Sequence, residues 1–228
     1  MYRRNLSDRG FTLVDLLVVV AVIALLIAIA IPSVARSIDA ARLVVCGNNT
    51  RQIVAAAFSH ANDHVGSWVL EEDEDRSSAN TLWAIGSGGE RFMLYGVLHG
   101  DYLDERGSAF FCPAASFFTA ESTLFGAGNL GVAGTLAMSS YYQRGIPEGG
   151  PRTSTESGSL SLITDLHGFR GTPDNHGNRV NAAFMDGSVE SLWAPDDWSV
   201  NSFDGHGGDN HGGLEPGAWS QMDAKELR

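Results

Sequence analysis

From Leu16 to Ile31 the chain runs through sixteen consecutive residues that are all Ala, Val, Ile or Leu. Extended forward to Phe11, the segment is 21 residues long and only Thr12 and Asp15 are polar. A helix needs about 20 such residues to cross the hydrocarbon core of a bilayer. The run therefore predicts a membrane-spanning helix close to the N-terminus. Arg3, Arg4 and Arg9 precede it, against a single Asp8. Basic residues stay on the cytoplasmic side of a span, so the N-terminus is expected in the cytoplasm and the remaining chain outside. Asp15 stands out, because a carboxylate at membrane depth is costly and marks a functional position by default.

The rival reading of such a segment is a secretory signal peptide, with a shorter apolar region followed by a small-residue cleavage site. Here the run is long, and Ile31-Pro32-Ser33 fits that site poorly. The cleavage-like feature lies in front of the run, at Gly10/Phe11. Gly10-Phe11-Thr12-Leu13-Val14-Asp15-Leu16-Leu17, the apolar run and Pro32 together resemble the signal of type IV pilins and type II secretion pseudopilins. The resemblance implies that a prepilin peptidase cuts after Gly10 and methylates the new N-terminal Phe11. It also implies that the fifth mature residue, Asp15, serves assembly and that the twenty-second, Pro32, kinks the helix. Asp15 departs from the family's usual Glu and reaches one methylene less far. A charge in hydrocarbon is much less costly when paired. Asp15 of one subunit can pair with the Phe11 amine of a neighbour, or with its own amine across one helical turn.

Beyond Pro32, Val34, Ile38, Ala41 and Val45 recur at spacings of four, three and four, which predicts continued helix with one apolar stripe. Ala55-Ala56-Ala57-Phe58 extends it toward His60. His60 and His64 are four apart, a spacing that suits a metal or simply a helix end. The expected organisation is a leader over 1–10, a transmembrane and then amphipathic helix over 11–64, and a β-rich head over 65–228. In the head, strands are expected at Thr81–Ile85, Met138–Gln143 and Ser159–Thr164, and a short helix over Glu90–Leu98. Glu71 to Asp75 is an acidic run of the kind found in solvated loops.

The chain carries a net charge of −12, and without residues 1–10 it would hold 12 basic against 26 acidic residues, or −14. Nucleic acid is thereby disfavoured as a partner, because its binding relies on neutralised phosphates. Cys46 and Cys112 suit either one disulfide in an exported head or two buried thiols. A bridge closing that loop would stabilise by about 4 kcal/mol.

Near the C-terminus, Val180 to Phe184 and Val189 to Trp193 flank Asp186-Gly187, the signal of a hairpin with a type I′ turn. His176, nine residues and Asp186-Gly187 also resemble the H-X9-DG motif of prepilin-type proteins of planctomycete-like bacteria, whose head is a domain of unknown function. Cys46-Gly47-Asn48-Asn49 with Gln52, and Phe111-Cys112-Pro113, fit the same resemblance. A catalytic His176–Asp186 pair is weighed against a turn aspartate and a hydrogen-bonding histidine. No nucleophile accompanies the pair and neither residue is read as catalytic. The loop Asp204-Gly205-His206-Gly207-Gly208-Asp209-Asn210-His211 holds donors for a divalent cation. Asp204, Asp209 and Asn210 would suit calcium, whereas His176, His206 and His211 would favour zinc or another transition metal.

The reading is an α+β, pilin-like, non-enzymatic protein anchored in the inner membrane. Its expected partners are a prepilin peptidase and other pilin-type subunits in a filament. The alternative is a monomeric membrane-anchored binding module that uses the signal for targeting only.

Overall fold

The computed structural model describes residues 12–64, 81–86, 89–92, 94–115, 118–143, 161–165, 176 and 179–193. The leader, Phe11, the acidic run and the loop of Asp204, His206, Asp209 and His211 lie outside the described residues. The chain forms two compact units, Met1–Ala41 and Arg42–Arg228.

One helix, α1, runs from Leu13 to Asp63 with Pro32 inside it. Proline removes one backbone donor and crowds the carbonyl four residues back, Ala28 here, yet the helical pattern resumes on its far side. The helix start is a reciprocal cap. Thr12 N–H and Oγ1–H donate to Asp15 Oδ2 at 3.0 and 2.7 Å, and Asp15 N–H donates to Thr12 Oγ1 at 3.2 Å. Two of the orphan amides of the first turn are satisfied in this way.

Every residue from Thr12 to Arg42 is exposed, including the whole apolar run. The stripe read over Val34, Ile38, Ala41 and Val45 is exposed too, with Val34 54% and Val45 45% accessible. The face of α1 that enters the core begins one residue later. It is made by Cys46, Thr50, Ile53, Val54, Ala57 and Ala61, again at helical spacing. Small residues and a threonine dominate this face and let the helix approach its neighbours closely. The Thr50 hydroxyl bonds back to Cys46 O at 2.8 Å, so it enters the core satisfied.

The head holds two antiparallel sheets among the described residues. Strands β1 (Thr81–Gly86), β2 (Gly89–Phe92) and β3 (Ala137–Met138) form one, in the order β2-β1-β3. Strands β4 (Tyr141–Gln143), β5 (Ser161–Asp165), β6 (Arg179–Phe184) and β7 (Val189–Trp193) form the other, in sequential order. With α1, this is an α+β pilin-like arrangement.

Two expectations in the head are corrected. Glu90–Leu98 is not a helix: its start pairs as β2, and only Leu94–Leu98 coils, as a 3-10 turn. That turn lies so close to β1 that a Cβ on Gly96 would stand 2.0 Å from Leu82 O, so a glycine is required there. Met138–Gln143 is not one strand either. The chain leaves the first sheet at Met138 and joins the second at Tyr141. Ser139 and Ser140 make the crossing: Ser139 Oγ–H and Ser140 N–H both donate to Phe110 O, at 2.7 and 3.0 Å.

The C-terminal hairpin forms where Asp186-Gly187 places it, but with a different turn. Gly187 N–H donates to Phe184 O and Phe184 N–H donates to Ser188 O, both at 2.9 Å. Gly187 has φ 80° and is the only turn residue with positive φ. This is a three-residue loop closed by a left-handed glycine, not a two-residue type I′ turn. Asp186 supports it from its side chain, accepting Ser188 N–H on Oδ1 at 2.8 Å.

Candidate functional site

Six segments of the chain meet inside the head. Asn49 lies one helical turn after Cys46 on α1, and its Nδ2 donates to Phe111 O at 3.0 Å. That bond aligns the next residue, Cys112, with the helix, and Cys46 and Cys112 are joined by a disulfide with Cα atoms 5.1 Å apart. Both cysteines are buried, at 0% and 2% accessibility.

His176 approaches from the other side. Its Nε2 stands 3.2 Å from Cys112 Sγ and 3.3 Å from Asp165 Oδ2. The two side chains are 3% and 1% accessible. Asp165 is the last residue of β5 and Asn181 lies on the neighbouring strand β6. Asn181 donates to Asp165 Oδ2 from both its backbone N–H, at 3.3 Å, and its Nδ2, at 2.9 Å. Asn181 Nδ2 also donates to Leu43 O of α1 at 3.0 Å, tying the sheet to the helix. Tyr141 on β4, opposite Asp165 in register, closes the site with its hydroxyl 3.5 Å from Cys46 O.

Burial dominates the electrostatics. It pushes the Asp165 carboxyl from its ordinary 3.8 up to about 7, with the two Asn181 bonds pulling the other way. The phenol of Tyr141 is raised well above 10 by burial first and by Asp165 second. Asp165 Oδ1 is buried and has no hydrogen-bond partner among the described residues. A buried, half-satisfied acid beside an imidazole and two sulfurs is an expensive arrangement for a purely structural core.

The acid facing His176 Nε2 is therefore Asp165, and not Asp186 as the motif spacing invites. Asp186 is exposed and works in the hairpin turn, as does Gly187. Asp165 and Asn181 were not singled out from sequence, although each is a polar residue inside an apolar strand, in Ser161-Leu162-Ile163-Thr164-Asp165 and Val180-Asn181-Ala182-Ala183-Phe184. At the end of α1, His60 and His64 stack with centroids 4.0 Å apart, and His64 Nδ1 lies 2.9 Å from His60 O. That geometry belongs to a helix end. Asp15 sits at the other end of the helix, exposed and held by Thr12. The threonine–x–x–acid spacing was a visible sign of this cap.

A family model for the prokaryotic N-terminal methylation motif matches residues 5–31. These residues include Gly10, Phe11 and Asp15, and the match continues into the exposed apolar first half of α1, where an 18-residue stretch has mean hydropathy 3.2. The chain is type IV pilin-like. It carries the signal of a prepilin-peptidase substrate and an N-terminal helix suited to membrane anchoring. No curated protein and no solved structure matches the chain.

Proposed function

We propose that this pilin-like chain is a structural subunit of a type IV pilus-like or type II secretion pseudopilus-like filament. Prepilin peptidase cuts between Gly10 and Phe11 and methylates Phe11. The mature chain stays in the inner membrane through the apolar half of α1, with its N-terminus cytoplasmic and its head outside. It then enters a filament with other pilin-type subunits. The observation that carries the reading is the methylation motif running directly into the first half of α1, which is apolar on all sides and fully exposed. Such a helix requires lipid or the helices of other subunits around it. The buried disulfide agrees with an extracytoplasmic head, since such bridges persist in oxidising compartments. We read the role as structural; Asp186, one of the pair weighed for chemistry, supports a turn.

In this reading Asp15 sets the register between subunits by meeting the Phe11 amine of a neighbour. The test is the N-terminal sequence and mass of the mature protein, together with assembly of Asp15→Ala. A start at methylated Phe11, and cleaved Asp15→Ala that no longer crosslinks to itself, are the expected results. A mature start near Ser33 would sink the proposal. Cleaved but unassembled wild-type protein would favour a monomeric anchored module.

A further inference from the structure

The cluster at the disulfide is built as more than a bridge. A disulfide sulfur is a weak acceptor and does not call for polar neighbours. Cys112 Sγ nevertheless has two. Ala114 N–H donates to it at 3.4 Å, two residues on in the chain, and His176 Nε2 lies 3.2 Å away. Both contacts suit a thiolate, whose negative charge accepts such donors and requires them when buried. Asp165 adds a carboxylate oxygen 3.3 Å from the same imidazole nitrogen.

The ligand atoms of Cys46, Cys112 and His176 all lie within 4.8 Å of one another. Two sulfurs, an imidazole nitrogen and a carboxylate oxygen make a donor set that favours zinc over calcium or magnesium. Zinc bonds of about 2.3 Å to sulfur and about 2.0–2.1 Å to nitrogen and oxygen set tetrahedral sulfur–nitrogen and nitrogen–oxygen separations near 3.5 Å. The observed separations of 3.2 and 3.3 Å are close to these. The two sulfurs must move apart, which breaking their bond permits, and Asp165, which lies outside the group of ligand atoms within 4.8 Å of one another, must move toward them. The outer contacts also fit a metal site. A ligating carboxylate is characteristically held by hydrogen bonds, and Asn181 holds Asp165 with two.

We propose that Cys46, Cys112, His176 and Asp165 form a zinc site when the cysteines are reduced, and that the disulfide is the metal-free state of the same site. Reduction by a water-soluble trialkylphosphine takes up one water: the phosphine becomes its oxide and the sulfurs become two thiols. Zinc then displaces the two thiol protons, so binding weakens as pH falls. The proposal is independent of filament assembly.

The experiment uses the full chain in detergent micelles. The disulfide is reduced with phosphine, excess reagent is removed without oxygen, and zinc is titrated against a chromophoric chelator. One zinc per chain is expected after reduction, and less than a tenth of that in the oxidised protein. Cobalt in place of zinc should give thiolate charge-transfer bands and tetrahedral visible bands. X-ray absorption of the zinc form should show two sulfur and two nitrogen or oxygen neighbours. Cys112→Ser should abolish uptake, and His176→Gln and Asp165→Asn should each weaken it by at least about 10-fold, the loss that removing an outer-shell partner already causes. These last two variants keep both cysteines, so their folding is checked first by counting free thiols in the oxidised state. A reduced wild-type chain that takes up no zinc overturns the proposal, as does a zinc shell without sulfur. Wild-type affinity in a correctly oxidising His176→Gln would overturn it as well.

Discussion

The two halves of α1 have the same backbone and opposite surroundings. From Leu13 to Ala41 every side chain is exposed, with Leu25 at 63% and Ile29 at 67% accessibility. From Cys46 to Ala61 one face is buried, with Cys46, Ile53 and Ala57 at 0%. Backbone hydrogen bonding and propensity do not separate the halves, because both are helical throughout. Side-chain arrangement does. A helix that is apolar all round cannot be satisfied by packing one face and must be enclosed by an apolar medium. A helix with polar residues interleaved can turn one face to a head domain and the other to water. The first half is thus made for lipid or other helices, and the second carries the folded head.

The strongest way to break this comparison is to make the same truncation in each half. Ile53→Ala removes a fully buried side chain from the core that α1 shares with Leu98, Phe110 and Ile163. The head should lose about 2–5 kcal/mol of stability. Ile29→Ala, in the exposed half, should change head stability by less than about 0.5 kcal/mol. Urea unfolding of the full chain in detergent, followed by tryptophan fluorescence, measures both. Equal losses would show that the exposed half belongs to the head's folding unit.

The difference between the halves was only partly legible in the sequence. The apolar run was plain, since sixteen identical choices need no knowledge of neighbours. The buried face of the second half was misplaced. Val34, Ile38, Ala41 and Val45 form the more hydrophobic stripe, but Cys46, Thr50, Ile53, Ala57 and Ala61 enter the core. Close approach of helix and sheet favours small side chains, and a hydropathy pattern ranks those last. In the head, Asp186-Gly187 announced the hairpin because the signal is local. Its turn type escaped because that depends on which residues pair. The switch at Ser139-Ser140 escaped because both bond to Phe110 O, far away in sequence. His176 and Asp165 were each visible, but their meeting depends on how β5 and β6 lie beside Cys112.

Asp165 sharpens the contrast from the buried side. Burial raises its carboxyl from 3.8 to about 7. The folded state therefore holds a proton that the unfolded chain releases near pH 4, and stability falls as pH rises from about 4 to about 7. Alone, the shift would be worth at most on the order of 4 kcal/mol. His176, 3.3 Å away, reduces this where its imidazole is charged, and among the described residues Tyr141 also faces the acid. Asp165→Asn should flatten the stability profile across that window. Urea midpoints collected from pH 4 to 8 provide the check. An unchanged slope in the variant would mean that another group carries the proton.

The exposed end carries the smallest effect and the finest discrimination. Thr12 and Asp15 hold each other in a reciprocal cap at the start of α1. Thr12→Ala removes the hydroxyl that both donates to and accepts from Asp15, while leaving the carboxylate in place. Losing such a cap should raise hydrogen exchange of the first-turn amides about fivefold. Head stability should not move, because nothing at this end is buried. Asp15→Asn keeps a side-chain oxygen for the Thr12 donors but removes the charge that a neighbouring amine would seek. If Asp15 acts only as a cap, Thr12→Ala should impair self-crosslinking at least as much as Asp15→Asn. If it also sets subunit register, Asp15→Asn should impair crosslinking far more while disturbing the helix start less. The two substitutions thus separate a local role for the acid from an intermolecular one, and crosslinking yield beside amide exchange in the same preparations decides between them.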